Sequence, residues 1–147
     1  MINQATVNLV KEFEGLRLAA YQDTSLIWTI GYGTTAAAGL GIIPRKGMTI
    51  TQEQAEHYLH LGLEKFALLI RPMIKVRVTD NEFGACLSLA YNIGPRGFSK
   101  SSVLRFLNLD NRPVAATKFA LWNKDEGRVL AGLTRRRAAE SALFKAT

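Results

Sequence analysis

The chain has 147 residues, of which 48% are hydrophobic, a formal net charge of +7 and one cysteine. This length suits a single domain with a packed core, and the lone Cys86 excludes an internal disulfide. The first residues lack a basic region followed by an apolar run, and no apolar stretch is long enough to span a membrane. We therefore expect neither a signal peptide nor stable membrane insertion.

The positive charge is concentrated in the second half of the chain. Residues 1–70 carry 5 basic and 6 acidic side chains, whereas residues 71–147 carry 14 basic and 6 acidic ones. The second half can therefore attract an anionic partner, although an ordinary solvated basic surface has the same composition. Zinc-finger spacing, RNP-like aromatic motifs and a helix-turn-helix signature do not occur in the sequence, so we expect no nucleic-acid partner.

The first predicted element is an amphipathic helix that ends in a carboxyl group. Asn3 and Thr6 are capping residues, apolar residues recur at helical spacing up to Glu14, and Gly15 favours a helix end. The negative end of the helix dipole and the adjacent apolar stripe both disfavour a carboxylate, and they favour the protonated form that a general acid needs. The alternative is an exposed surface glutamate at a frayed helix end.

A short hairpin is predicted next, from residues 18–22 and 27–32 around a polar turn. Alternation along the second strand puts Thr29 on a face that looks towards the same side as Asp23. Taken singly, Asp23 is an ordinary turn aspartate and Thr29 an ordinary strand threonine. Together with Glu14 they match the glycosidase requirement for two carboxyl groups across a sugar bond, with a hydroxyl that fixes a water molecule.

Helices account for most of the remaining prediction. After an extended loop or short strands over residues 34–50, Thr51 and Gln54 form a capping box for a long helix that ends before Pro72. Four more helices are predicted, one from Thr79 and Glu82 to Gly94-Pro95, one starting within residues 99–102, one with Pro113 in its first turn and one following Gly132.

The two histidines of the chain, His57 and His60, lie one turn apart on the long predicted helix. A zinc site would need a third firm ligand in addition to nearby glutamates. We therefore interpret this face as solvated helix surface and expect no metal.

Seven short motifs follow one another along nearly the whole chain, at residues 11–17, 21–23, 28–33, 90–95, 97–99, 122–123 and 132–137. In this order they resemble the phage-type lysozymes, or endolysins, of glycoside hydrolase family 24. The resemblance implies an α+β, mostly helical, lysozyme-like fold in a single catalytic domain, 1–147. A small antiparallel β-hairpin lobe, about 15–52, would be joined by the long helix to a helical lobe, about 70–147, that includes the N-terminal helix.

The resemblance also implies roles for the candidate residues. Glu14 would be the general acid, Asp23 the base or electrostatic stabiliser opposite it, and Thr29 would help to place the attacking water. The family is inverting, which implies the wider of the two carboxyl separations that glycosidases use.

Further positions would support the substrate or the acid. Thr35, Tyr91 and Ser101 fall where the family contacts the sugar chain, and core packing is an equally good interpretation of Tyr91. Arg137 matches a family arginine that reaches back to the catalytic glutamate. Of the three arginines 135–137, we expect at least two to be exposed cations on a helix.

Two positions depart from the family pattern. Leu26 stands where the family usually has glycine in the catalytic turn, which puts the backbone shape of that turn in question. Thr34 replaces a common histidine whose part in the family is mainly structural, so it bears on local stability more than on chemistry.

The implied activity is hydrolysis of the β-1,4 bond between N-acetylmuramic acid and N-acetylglucosamine in bacterial peptidoglycan. The implied partners are glycan strands, with electrostatic contact to an anionic cell envelope, and we expect a monomer that needs no cofactor. We expect synthesis in the host bacterial cytoplasm and action on the wall after the membrane has been permeabilised. Two alternatives stay open, namely a non-enzymatic basic wall-binding or membrane-disrupting module and a lytic transglycosylase.

Overall fold

The computed structural model describes residues 2–147, which form two compact units. One unit contains the chain up to Phe13 together with Phe66–Thr147, and the other is Glu14–Lys65. Among the described residues, no helix is both long enough and apolar enough to cross a membrane.

The unit Glu14–Lys65 contains a three-stranded antiparallel sheet in the order β1 (Arg17–Gln22), β2 (Trp28–Gly31) and β3 (Thr34–Thr35). The predicted hairpin is therefore confirmed, and the region 34–50 contributes one short strand and a 3₁₀ turn at Ala36–Ala38. This sheet carries the candidate hydroxyl and turn carboxyl groups.

The helices that precede and follow this sheet along the chain begin and end at the predicted residues. Helix α1 (Gln4–Glu14) ends at the candidate carboxyl group, and α2 (Gln52–Ile70) ends just before Pro72. The capping box of α2 is confirmed, because the Gln54 N–H donates to Thr51 Oγ1 at 3.1 Å and the Thr51 N–H donates to Gln54 Oε1 at 2.9 Å.

The remaining α-helices and strands are α3 (Asp80–Ile93), α4 (Pro95–Ser99), α5 (Ser102–Asn108), α6 (Arg112–Lys118), β4 (Lys124–Asp125), β5 (Arg128–Val129) and α7 (Ala131–Lys145), with 3₁₀ turns at Arg71–Met73 and Phe119–Leu121. Two of these features were not predicted. Pro95 starts the short helix α4 instead of only ending α3, because proline suits a first helical turn. The strands β4 and β5 have two residues each, too few to produce an alternating pattern. In addition, α7 includes Gly132 in its first turn instead of following it.

Helix α3 is the most buried helix of its unit. Its N-terminal capping box is confirmed by the Glu82 N–H, which donates to Thr79 Oγ1 at 3.0 Å, and every residue from 82 to 90 is buried. Cys86 lies in this stretch with no exposed surface, and burial raises the pKa of its thiol. This environment fits the structural role that the sequence indicated, because the thiolate form is disfavoured there.

A buried ionic cluster joins α7 to α3. The Glu140 carboxylate accepts a hydrogen bond from Ser88 Oγ at 2.5 Å and from Arg137 Nη2 at 2.9 Å, and Arg136 Nε lies 3.3 Å from Glu140 Oε2. All four side chains are buried. Burial raises the pKa of Glu140, while Arg137, the Ser88 hydroxyl and Arg136 lower it.

The expectation that at least two of the arginines 135–137 are exposed is wrong. Only Arg135 is exposed, whereas Arg136 and Arg137 are buried at 3% and 1% exposure. The physical reason is Glu140, which lies four and three residues further along the same helix and faces both guanidinium groups.

Replacing Glu140 by glutamine should strongly destabilise the fold, because the change leaves buried cations without their carboxylate. We expect the free energy of unfolding to fall by about 3–5 kcal/mol, as measured by denaturant titration. The matched control is Arg135→Gln on the exposed side of the same helix, which should change stability by less than about 0.5 kcal/mol. Equal stability of the two variants would contradict a stabilising role for the cluster.

Candidate active site

The Asp23 side chain is held by the backbone of the turn that it begins. Asp23 Oδ1 accepts hydrogen bonds from the N–H groups of Ser25 at 2.8 Å and Ile27 at 2.9 Å. The turn itself is closed by the Leu26 N–H, which donates to the Asp23 carbonyl, and by the Asp23 N–H, which donates to the Ile27 carbonyl. One carboxyl oxygen is therefore fixed, and Oδ2 makes no hydrogen bond within residues 2–147.

Leu26 adopts a left-handed backbone conformation in this turn, with φ of +62°. A three-residue hairpin loop commonly ends in such a residue, and glycine is favoured there because it has no Cβ. The side chain of Leu26 is 72% exposed, so it gains little from packing. The departure from the family pattern thus leaves the turn closed but strains its backbone.

Thr29 lies on β2, the strand that follows this turn. It is 4% exposed, and its Oγ1 donates to the Ile27 carbonyl at 3.0 Å. Because its proton is used in this bond, the hydroxyl can offer its lone pairs to another donor. Strand register pairs Thr29 with Tyr21 on one side and with Thr35 on the other, so these three side chains form a row on one face.

The Glu14 carboxyl group lies against the backbone of Gly33. A Cβ added at position 33 would come within 2.5 Å of Glu14 Oε1 and 3.3 Å of Cδ, and Gly33 has φ of +79°. Glycine is therefore required twice over, for the backbone conformation and for the close approach of the carboxyl group. The sequence showed Gly33 at the end of the strand motif, but gave no sign of this contact across 19 residues of chain.

Tyr21 was not predicted as a site residue, yet it pairs with Thr29 across the strands and precedes Asp23 by two positions. Its half-buried ring lies under the Arg17 guanidinium, 4.2 Å from the ring centre. Burial raises the pKa of Tyr21, the charge of Arg17 lowers it, and the carboxylates of Glu14 and Asp23 raise it further. Glu14, Asp23, Thr29 and Tyr21 all belong to the unit Glu14–Lys65.

Two predicted substrate-contacting residues belong to the other unit. Tyr91 is half-buried on α3 and packs on Phe66, with ring centres 5.2 Å apart. Ser101 is 3% exposed and caps α5, since its Oγ accepts from the Leu104 N–H and donates to the Phe98 carbonyl. Both residues thus have structural roles, and their contact with a sugar chain stays a prediction.

Arg137 and Thr34 complete the predicted set. Arg137 belongs to the buried cluster with Glu140 and also donates to the Trp122 carbonyl at 3.3 Å, so its action on the acid stays a prediction. Thr34 is buried, and its hydroxyl makes no hydrogen bond within the described chain. An unpaired buried hydroxyl costs about 1–3 kcal/mol, which fits an effect of this position on local stability.

Known proteins are similar to this chain over most of its length. The sequence profile of the family described as phage lysozyme matches residues 11–140. The chain belongs to the phage lysozyme family. The endolysin of Bacillus phage PZA is 44% identical over 145 residues, which cover 97% of this chain and 54% of that protein. The endolysin of Salmonella phage P22 is 39% identical over 143 residues, which cover 97% of both chains.

The chain therefore spans about half the length of the Bacillus phage endolysins and nearly all of the phage P22 endolysin. Among solved structures, the muramidase domain of SpmX from Asticaccaulis excentricus superposes with a TM-score of 0.90 at 36% identity, covering 100% of this chain and 99% of that one. A mutant of P22 lysozyme gives 0.86 at 37% identity, covering 99% of both. The predicted α+β lysozyme-like fold of this phage lysozyme family member is confirmed.

Replacing Leu26 by glycine should stabilise this family member slightly. The change removes about 1–2 kcal/mol of left-handed strain. Glycine also raises the backbone entropy of the unfolded chain, which lowers stability by about 0.5–1 kcal/mol. The melting temperature should therefore rise slightly. Leu26→Val, with its β-branched side chain, should instead lower the melting temperature. A lower melting temperature for the glycine variant would show that Leu26 is not strained.

Replacing Gly33 by alanine should displace the Glu14 carboxyl group. A displacement of about 1 Å at a reacting group can reduce a rate by about a hundredfold, and we expect a loss of that size in lysis of permeabilised Gram-negative cells. The matched control is Gly15→Ala, because Gly15 has φ of +72° but open space around its Cβ position. Both variants carry the backbone strain, so equal activities would exclude a role for the contact with Glu14.

Proposed function

We propose that this phage lysozyme family member is a muramidase that hydrolyses the β-1,4 bond between N-acetylmuramic acid and N-acetylglucosamine in peptidoglycan. Family membership and the lysozyme-like fold support this activity. The observation that carries the proposal is the arrangement within Glu14–Lys65. There, backbone groups fix Asp23 in the turn that leads to Thr29, and Glu14 lies against Gly33.

In the proposed reaction, Glu14 protonates the glycosidic oxygen as the bond to the leaving sugar breaks. An acid in this role must keep its oxygen atoms in one place while the substrate binds. The contact with Gly33 supports such a position, since it restricts the Glu14 carboxyl group from the side of the strand.

A water molecule attacks the opposite face of the sugar. The Thr29 hydroxyl can accept one hydrogen bond from this water, because its own proton is donated to Ile27. The free oxygen of Asp23 would accept the second water proton, which leaves a water lone pair directed at the anomeric carbon. Asp23 then takes up the proton released on attack, and the product has inverted configuration.

Four further candidate residues are proposed to act on the substrate or on the acid. Thr35 neighbours Thr29 in the side-chain row, which supports a contact with the sugar chain. The proposal also includes a contact of Tyr91 and Ser101 with the glycan and support of Glu14 by Arg137. No cofactor is part of this proposal, and the proposed active form is a monomer.

The charge distribution suggests how the enzyme meets its substrate. The unit Glu14–Lys65 has 4 basic and 5 acidic side chains, whereas the rest of the chain has 15 basic and 7 acidic ones. The strongly basic charge of this second unit favours contact with the anionic cell envelope. We propose that the protein is made in the host bacterial cytoplasm and reaches the wall once the membrane is permeabilised.

The replacement Glu14→Gln tests the proposal directly. Glutamine keeps the shape of the side chain but cannot donate the proton, so lysis of permeabilised Gram-negative cells should fall about 10²- to 10⁴-fold. The control Glu12→Gln removes a carboxyl group from the exposed side of the same helix and should leave lysis unchanged.

Unchanged lysis by the Glu14 variant would contradict the proposed enzyme. It would favour the alternative in which the basic unit binds the wall or disrupts membranes without cleaving sugar. Thermal unfolding of both variants verifies that any loss of lysis comes from chemistry and not from loss of folded protein.

A further inference from the structure

Tyr21 lies opposite Thr29, the proposed catalytic hydroxyl, and takes no part in the proposed hydrolysis. Strand register places Tyr21 directly opposite Thr29, and residues opposite each other in antiparallel strands project to the same face. The next pair, Gln22 with Trp28, projects to the other face. The Tyr21 side chain therefore shares the face on which the attacking water is proposed to lie.

The hydroxyl of Tyr21 has no hydrogen-bond partner within residues 2–147, although the side chain is half-buried. Its oxygen is accessible to solvent, as it is not one of the buried side-chain atoms that lack a partner. Thr29, its neighbour across the strands, already donates to a carbonyl. A polar group of a bound molecule can therefore replace solvent at the Tyr21 hydroxyl.

The ring of Tyr21 is held in place from one side. A shift in register between Arg17 and Tyr21 bulges β1, and the Arg17 guanidinium lies 4.2 Å from the ring centre. A cation over an aromatic face is an attractive contact. The hydroxyl is thus carried on a ring that has limited freedom to move.

Burial, more than charge, favours the protonated form of this hydroxyl. Burial and the carboxylates of Glu14 and Asp23 raise the pKa of Tyr21, with only Arg17 opposing them. The side chain faces the same way as Thr29, and the phenol is hydrogen-bonded to neither the Glu14 nor the Asp23 carboxyl group. The phenol is therefore a neutral donor and acceptor close to the position where the sugar bond is proposed to lie.

We propose that Tyr21 is a further substrate-contacting residue whose hydroxyl hydrogen-bonds the sugar at the bond that is cleaved. This inference rests on the proposed muramidase function. The O–H would donate to an oxygen of that sugar, its ring packing on Arg17 would fix the direction of the bond, and the row formed with Thr29 and Thr35 would extend along the same sugar chain.

The test is Tyr21→Phe, which keeps the ring and its contact with Arg17 but removes the hydroxyl. Initial rates over a series of purified peptidoglycan concentrations should show kcat/KM lower by about ten- to a hundredfold, the range for one lost hydrogen bond. The melting temperature should not change. The matched control is Tyr58→Phe, a half-buried tyrosine on α2 of the same unit that packs on His57, and it should have wild-type rates.

The outcomes separate this inference from the proposed function. If Glu14→Gln is inactive and Tyr21→Phe has the same rates as Tyr58→Phe, the enzyme stands and the role of Tyr21 is refuted. If Glu14→Gln retains activity, the proposed function itself fails. A kcat/KM loss in Tyr21→Phe together with an equal loss in Tyr58→Phe would also refute the inference, because it would show a general effect of removing a hydroxyl.

Discussion

The site depends on the two backbone hydrogen bonds that hold one oxygen of Asp23. The N–H groups of Ser25 and Ile27 bind this oxygen from inside a three-residue loop. The loop closes only because Leu26 takes a left-handed conformation, and its closure sets the pairing of β1 with β2. Through that pairing Thr29 comes to lie on the same face as Tyr21, so one local turn fixes the carboxyl group, the hydroxyl and the phenol together.

The Glu14 carboxyl group is positioned in a different way, by a glycine that has no side chain. Gly33 leaves room for the Glu14 carboxyl group where any other residue would collide with it. Both devices use the backbone, whose position is set by the sheet. The unit Glu14–Lys65 is close to neutral, whereas the other unit carries the positive charge.

Local signals were sufficient to predict much of this fold. The hairpin and both capping boxes were predictable because their residues lie within a few positions of each other, as with Thr51 and Gln54. The burial of Arg136 was missed although its partner Glu140 lies on the same helix, because this helix face is covered by α3, whose Ser88 lies 48 residues earlier and contacts both side chains. The contact between Glu14 and Gly33 also joins residues that are distant in sequence. Likewise, Tyr21 comes to face the site only when β1 and β2 pair in register.

In the proposed reaction, water held between Asp23 and Thr29 attacks the sugar bond that Glu14 protonates. Mass spectrometry of the fragments released from purified peptidoglycan tests this reaction. Hydrolysis leaves N-acetylmuramic acid at the new reducing ends, each carrying the atoms of one added water. Fragments that end in anhydro sugars would rule the reaction out, because the bond would then have been broken without water, as in a lytic transglycosylase.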